Sequence, residues 1–202
     1  MISIARLLLF FVITIGYDAF FRNTVKMNRR LTWVFTFSVI TLVLYLGSLL
    51  GFMLQTVYAI SVLGCLLSLY YLWAVWKKKY RFRRLDYIAL GMMAYLLLFG
   101  ITLWYSPLLH YDNFTHWATI VKFFHINNAL PTQQDTIISY YTYPVGSSLF
   151  IYFFTTIVGF SEGSMLIGQF FLIASSLYAM FAALRDDRRV LMVSMILLRL
   201  LF

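Results

Sequence analysis

The charges of this chain fall into short clusters, and the stretches between them stay apolar for close to the ~20 residues an α-helix needs to cross a bilayer. That alternation restricts the fold more than any single motif. In lipid, each backbone N–H and C=O must be satisfied within its own segment, so runs of this length are expected as helices. Strands of a membrane barrel would alternate apolar and polar residues over about ten positions, and these runs do not. Charged residues make up 11% of the 202 positions, against about 25% in a soluble domain. The expected fold class is all-α: a polytopic transmembrane helical protein with an extracytoplasmic loop containing juxtamembrane helices.

The first apolar run covers residues 7–21. Arg6 precedes it, and Asp18 toward its far end is expected to snorkel to the interface. No small-residue cleavage site follows Asp18, so the run reads as a retained anchor and not a signal peptide. Further spans are expected over 31–53, 57–76 and 87–105, with a tight turn around Gln55. Arg22, Lys26, Arg29 and Arg30 form one basic cluster, and residues 77–84 form a stronger one two spans later. Both fall on one side, which the positive-inside rule makes the cytoplasm. The chain is then expected as a multi-pass protein of the cell membrane, its N-terminus and residues 106–163 extracytoplasmic.

Two more apolar runs, 144–160 and 164–184, precede the cluster Arg185-Asp-Asp-Arg-Arg189. If both crossed, that cluster would lie outside, against the rule. The run from Pro144 is therefore expected to be partly embedded, and the second to be the true span. The resulting organisation is four transmembrane helices over 1–105, the extracytoplasmic loop over 106–163, and a transmembrane helix plus the start of a truncated further helix over 164–202. The net charge of +9 is sorted by this topology and not gathered into a footprint, so no nucleic-acid partner is expected. Membrane lipid is the expected surroundings. The lone Cys65, inside an apolar run, excludes a disulfide framework and reads as a small core residue.

All three histidines, His110, His116 and His125, fall in the polar segment 106–143, with Asp112, Lys122 and a tyrosine cluster over 140–143. Connections of this length without purpose are uncommon. From Asp112 to His125, the residues Phe114, Trp117, Ala118, Val121 and Phe124 recur at helical spacing, with Asp112, His116 and Thr119 opposite and Lys122 toward the edge. One amphipathic helix is expected there, Asp112 at its N-cap, lying in the interface. The His and Asp positions match no strong zinc spacing, so no metal site is expected. Asn113-Phe-Thr115 fits a glycosylation acceptor, a pattern that short sequences match by chance.

Tyr111-Asp-Asn-Phe-Thr-His-Trp117, a lysine five residues on, and Tyr143-Pro-Val-Gly146 before an apolar run resemble bacterial membrane glycosyltransferases of the GT-C class, such as the protein O-mannosyltransferases. The class has an acidic residue early in an outer loop, a Tyr/His-Pro-Pro motif opening a juxtamembrane helix, a Gly-x-Ser-Glu-like step into the next span and a basic cluster after it. Here these correspond to Asp112, Tyr143-Pro144, Gly159-Phe-Ser-Glu162 and the cluster from Arg185 to Arg189. Val145 stands where a second proline is usual, Asn113 where some relatives are acidic, and the acidic loop follows the fourth span, not the first.

The resemblance covers about residues 106–190 and implies transfer of a sugar from a polyprenyl-phosphate-linked donor to an acceptor hydroxyl outside the cytoplasm, with inversion, in cell-envelope glycan synthesis. Asp112 is then the expected catalytic base. Lys122 and His116 would meet the leaving phosphate, and Trp117, Tyr141 and Tyr143 would stack on sugar or lipid. No cofactor is implied beyond the lipid-linked donor. Two other readings stay open: a non-enzymatic membrane component such as a permease or polysaccharide-export subunit, and an inactive remnant. A second polypeptide completing the fold is also compatible with so few spans.

Overall fold

The computed structural model describes residues 4–80, 87–135, 138 and 143–182. They form eight helices: α1 (Ile4–Asn23), α2 (Arg29–Leu49), α3 (Met53–Trp76), α4 (Tyr87–Trp104), α5 (Tyr111–Thr115), α6 (Trp117–Asn127), α7 (Gly146–Val158) and α8 (Glu162–Met180). No strand occurs among the described residues. Helices α1 to α4 and α8 are long and apolar enough to cross a membrane. The architecture is thus the expected all-helical, multi-span one. Tyr141, the cluster from Arg185 to Arg189, and residues 190–202 lie outside the described residues.

Helix α1 pairs most extensively with α3. Glycines let the two backbones meet: a Cβ on Gly16 would strike the Gly64 carbonyl oxygen, and one on Gly64 would strike Ile13. The contact is reinforced by hydroxyls. Tyr17 Oη donates to the Ile60 carbonyl at 2.8 Å, and Ser68 Oγ to that of Val12 at 2.5 Å. The α2–α3 turn comes at residues 50–52, earlier than Gln55, because Gly51 with φ +79° supplies the left-handed step while Gln55 continues the helix.

The bundle has two distinguishable ends. At the basic end stand the α1–α2 turn with Arg22 and Lys26, and the end of α3 with Lys77 to Lys79. At the loop end, α4 finishes and α8 begins. There Gly163 packs on the Trp104 carbonyl, and Glu162 Oε2 accepts the Leu108 N–H at 2.9 Å. The far end of α8 reaches the basic end, where Arg30 Nη1 donates to the Phe181 carbonyl at 3.3 Å. Helix α8 therefore runs the full height of the bundle.

Helix α7 does not. Its 13 residues rise ~20 Å, short of a ~30 Å hydrocarbon core. It starts at Gly146, beside Thr41 halfway along α2, and ends at Gly159, next to the start of α8. Its aromatic side chains are enclosed by protein: Phe150, Phe153 and Phe154 are fully buried around Phe10 of α1, with Phe154 edge-on to Phe10 at 4.8 Å. Phe37 of α2 and Phe171 of α8 close the cluster.

One expected feature is reversed. Asp18 turns into the bundle, only 5% exposed, and does not snorkel. It accepts a hydrogen bond from Thr32 Oγ1 of α2 and pairs with Arg22 one turn later in its own helix at 3.5 Å. A buried carboxylate is tolerable only with such partners.

The Gly16 crossing should be intolerant of any side chain. Gly16→Ala forces a backbone shift and is expected to destabilise the protein by about 1–3 kcal/mol. Gly91→Ala, where a Cβ meets open space, should be near neutral. Thermal unfolding of both variants in detergent checks this; equal melting temperatures would refute the tight crossing.

Candidate functional site

The polar segment opens on the stretch around Leu108, held by Glu162, and turns into α5. The cap of α5 is His110, not Asp112. His110 Nδ1 accepts the Asp112 N–H at 3.3 Å, which puts Asp112 in the first turn, where the positive helix end favours its charge. The Asp112 side chain is 60% exposed, and its Oδ2 lies 3.4 Å from the same His110 nitrogen. That nitrogen either accepts the backbone N–H or, when protonated, donates to the carboxylate.

The single helix expected from Asp112 to His125 is broken at His116, whose φ −125° and ψ −109° are non-helical. Neither proline nor glycine marks the break. It coincides with tertiary contacts: the His116 ring packs edge-on against Tyr143 at 4.8 Å, and Ser148 Oγ of α7 donates to the Trp117 carbonyl at 3.1 Å. The apolar face of α6 is wider than expected. Ala118, Ile120, Val121, Phe123 and Phe124 are all buried, packed on α7 and its neighbours and not laid on lipid. Phe114 is left half-exposed, and Asn113 is buried, which argues against its use as a glycan acceptor.

Tyr143 lines a groove. This groove, about 790 Å³, lies between α2, residues 130–131, the start of α7 and α8. Hydroxyls line it: Ser38, Thr41 and Tyr45 from α2, Ser147 from α7, and Ser175 and Ser176 from α8. Four of these donate to carbonyls of their own helices, as Ser38 does to Val34 and Thr41 to Phe37, both at 2.8 Å. Their free lone pairs make the groove a hydrogen-bond acceptor surface. No charged side chain is among the described residues lining it. A Cβ added at Gly146, which follows the Pro144-Val pair, would come no closer to the surrounding helices than 4.0 Å from Thr41 Cγ2, so the floor there is open.

The expected site residues are thus brought together in part. Tyr143 lines the groove, His116 packs on Tyr143, and Asp112 stands one turn before His116, joined by the His116 N–H to the Asp112 carbonyl at 3.1 Å. Trp117 is half-buried beside Val121 and Met165. Lys122 lies six residues beyond His116 on α6, half-exposed. Sequence reasoning missed the groove hydroxyls. Their signal was present as Ser38 and Thr41, three residues apart on α2, and the Ser175-Ser176 pair on α8.

The Gly159-Phe-Ser-Glu162 step has a structural account. Gly159 takes φ +114°, Ser161 and Ser164 form a reciprocal capping box, and Glu162 clasps Leu108.

His125 was grouped with the other histidines but sits apart. Its Nε2 is 2.8 Å from Thr155 Oγ1, and its ring packs on Tyr152 and Phe160. Thr155 Oγ1 is also 2.8 Å from the Ile151 carbonyl, so the hydroxyl bridges His125 and its own helix, with the direction of the His125 bond set by the imidazole tautomer. Nearby, Tyr152 Oη donates to Asn128 Oδ1 at 2.7 Å, and Asn128 closes α6 with φ +50°. Burial pushes the His125 pKa down from 6.5 to about 4.

The unfolded chain takes up a proton at His125 near pH 6.5, and the folded chain only near pH 4. Stability should therefore fall as pH drops between those values. Thermal melts from pH 7.5 to 4 should show a shallower decline for His125→Gln than for the parent; parallel curves would remove His125 from this role. Against these features stand the comparisons with known proteins: no protein-family model, no curated protein and no solved structure matches the chain.

Proposed function

We propose that this chain is a membrane glycosyltransferase of the GT-C type, moving a sugar from a polyprenyl-phosphate-linked donor to an acceptor hydroxyl at the loop end of the bundle. The observation that carries the reading is the continuity from the Asp112 turn, through His116 and Tyr143, into a groove lined with hydroxyls and with no charged side chain among its described lining residues. Hydroxyl acceptors suit the many O–H donors of a sugar, and the aromatic rim suits its apolar faces.

In this reading the acceptor oxygen attacks the anomeric carbon as the C–O bond to the lipid phosphate breaks. Asp112 takes the acceptor proton, and the phosphate leaves with the bonding electron pair. A carboxylate that is exposed and in the first turn of a short helix is accessible to an acceptor arriving from water. Lys122 supplies positive charge toward the phosphate, and His116 a ring N–H that can donate to it. One displacement gives inversion. Membrane orientation follows from the basic end facing the cytoplasm, with residues 106–163 on the opposite side.

Two measurements test this. The protein, in liposomes with a radiolabelled polyprenyl-phosphate sugar, should transfer label to an added acceptor. Asp112→Asn should lower the rate by about 10²- to 10⁴-fold. Transfer near the parent rate would remove Asp112 as base, and no transfer by the parent would favour a non-enzymatic role. For orientation, in a Cys65→Ser background, Ser106→Cys should react with an impermeant maleimide on intact cells, whereas Lys78→Cys should not. The opposite pattern would invert the assignment.

A further inference from the structure

The second groove lies at the opposite, basic end and plays no part in the proposed transfer. It has a volume of about 390 Å³ and runs between α1, α2 and α4, with α8 as its back wall. From Arg29 to Phe37 along α2 it extends ~12 Å, from the end of the bundle to its aromatic middle. Trp33, Met92, Met93 and Leu96 form its sides. The slot exists because α4 packs on α8 and makes no comparable packing with α1 or α2, which leaves a gap between them. Methionines give it adaptable walls.

Its mouth is cationic. Arg29 lines it, and Arg22, Lys26 and Arg30 belong to the same turn region, against one carboxylate, Asp18. Asp18, buried on Thr32 and Arg22 and close enough to Arg29 to act on it electrostatically, offsets one of these four charges, so the turn region keeps a positive excess. An apolar slot about half a bilayer deep, with a guanidinium at its mouth, complements an amphiphile with one anionic head and an extended hydrocarbon tail. We infer that this groove binds one anionic phospholipid of the leaflet at the basic end, an acyl chain between α2 and α4 and the phosphate at Arg29. The two grooves back onto each other at Ser175, but the site is independent of the transferase reading, because none of Asp112, His116, Lys122 and Tyr143 lines it. Trp33, between mouth and floor, lies beside the upper part of the acyl chain.

That placement supplies a direct probe. The purified chain in a non-ionic detergent is titrated with phosphatidylglycerol carrying brominated acyl chains, and tryptophan fluorescence is read. Quenching should saturate near one lipid per chain and lose its saturable part in Trp33→Phe. Arg29→Gln should shift the midpoint about fivefold to higher lipid, and Arg29→Lys should keep it near the parent value, which separates charge from folding. Met93→Trp, which fills the slot from a half-exposed position, should abolish the saturable component that persists in Leu97→Trp on the exposed face of α4. The inference is overturned if brominated phosphatidylcholine quenches equally at the same dose, if Arg29→Gln leaves the midpoint unchanged, or if the chain purifies with a polypeptide and no lipid in this slot.

Discussion

A helix of thirteen residues built around the apolar run from Leu149 to Phe154 can neither cross a bilayer nor rest in water, so α7 must be enclosed by other helices. The remaining structure is arranged around that requirement. Phe10, Phe37 and Phe171, from three different spans, converge on its aromatic face, and α6 covers it from the loop side. Aromatic pairs at these separations add to the area they bury. Since α7 begins halfway along α2, it climbs from the middle of the bundle to the loop end, and the hydroxyl-lined groove lies beside its first residue, Gly146.

The spans were legible because length and apolarity are properties of a single segment. Residues 87–105 were expected and Tyr87–Trp104 is observed; the shortness of α7 could be read from Pro144 and Gly159. Features that depend on two segments were not legible. The bend at His116 depends on Tyr143 and Ser148, which lie 27 and 32 residues away. The inward turn of Asp18 depends on Thr32, and the burial of Phe123, a position outside the expected stripe, depends on the surface that α7 offers. Periodicity describes one helix against an average surrounding, and here the surroundings are specific.

The same distinction applies to the candidate site. Histidine and aspartate stood out because they are rare in this chain, and tyrosine because it clusters over 140–143; Asp112, His116 and Tyr143 do fall along one rim. Serine and threonine did not stand out, because in a span their hydroxyls can be satisfied by the preceding turn, as Ser38, Thr41 and Ser176 are. Only their convergence from α2 and α8 onto one space gives them meaning.

The Asp18 contact bears on how the chain enters the membrane. An isolated α1 would carry a carboxylate into hydrocarbon with only Arg22 of its own helix to offset it. The missing partner, Thr32, comes fourteen residues later, in the first turn of α2. Insertion of the first segment therefore gains its full compensation only when the second has been synthesised. The two should leave the insertion machinery as a helical hairpin, with the Asp18–Thr32 bond as the latch that commits the N-terminus to its side.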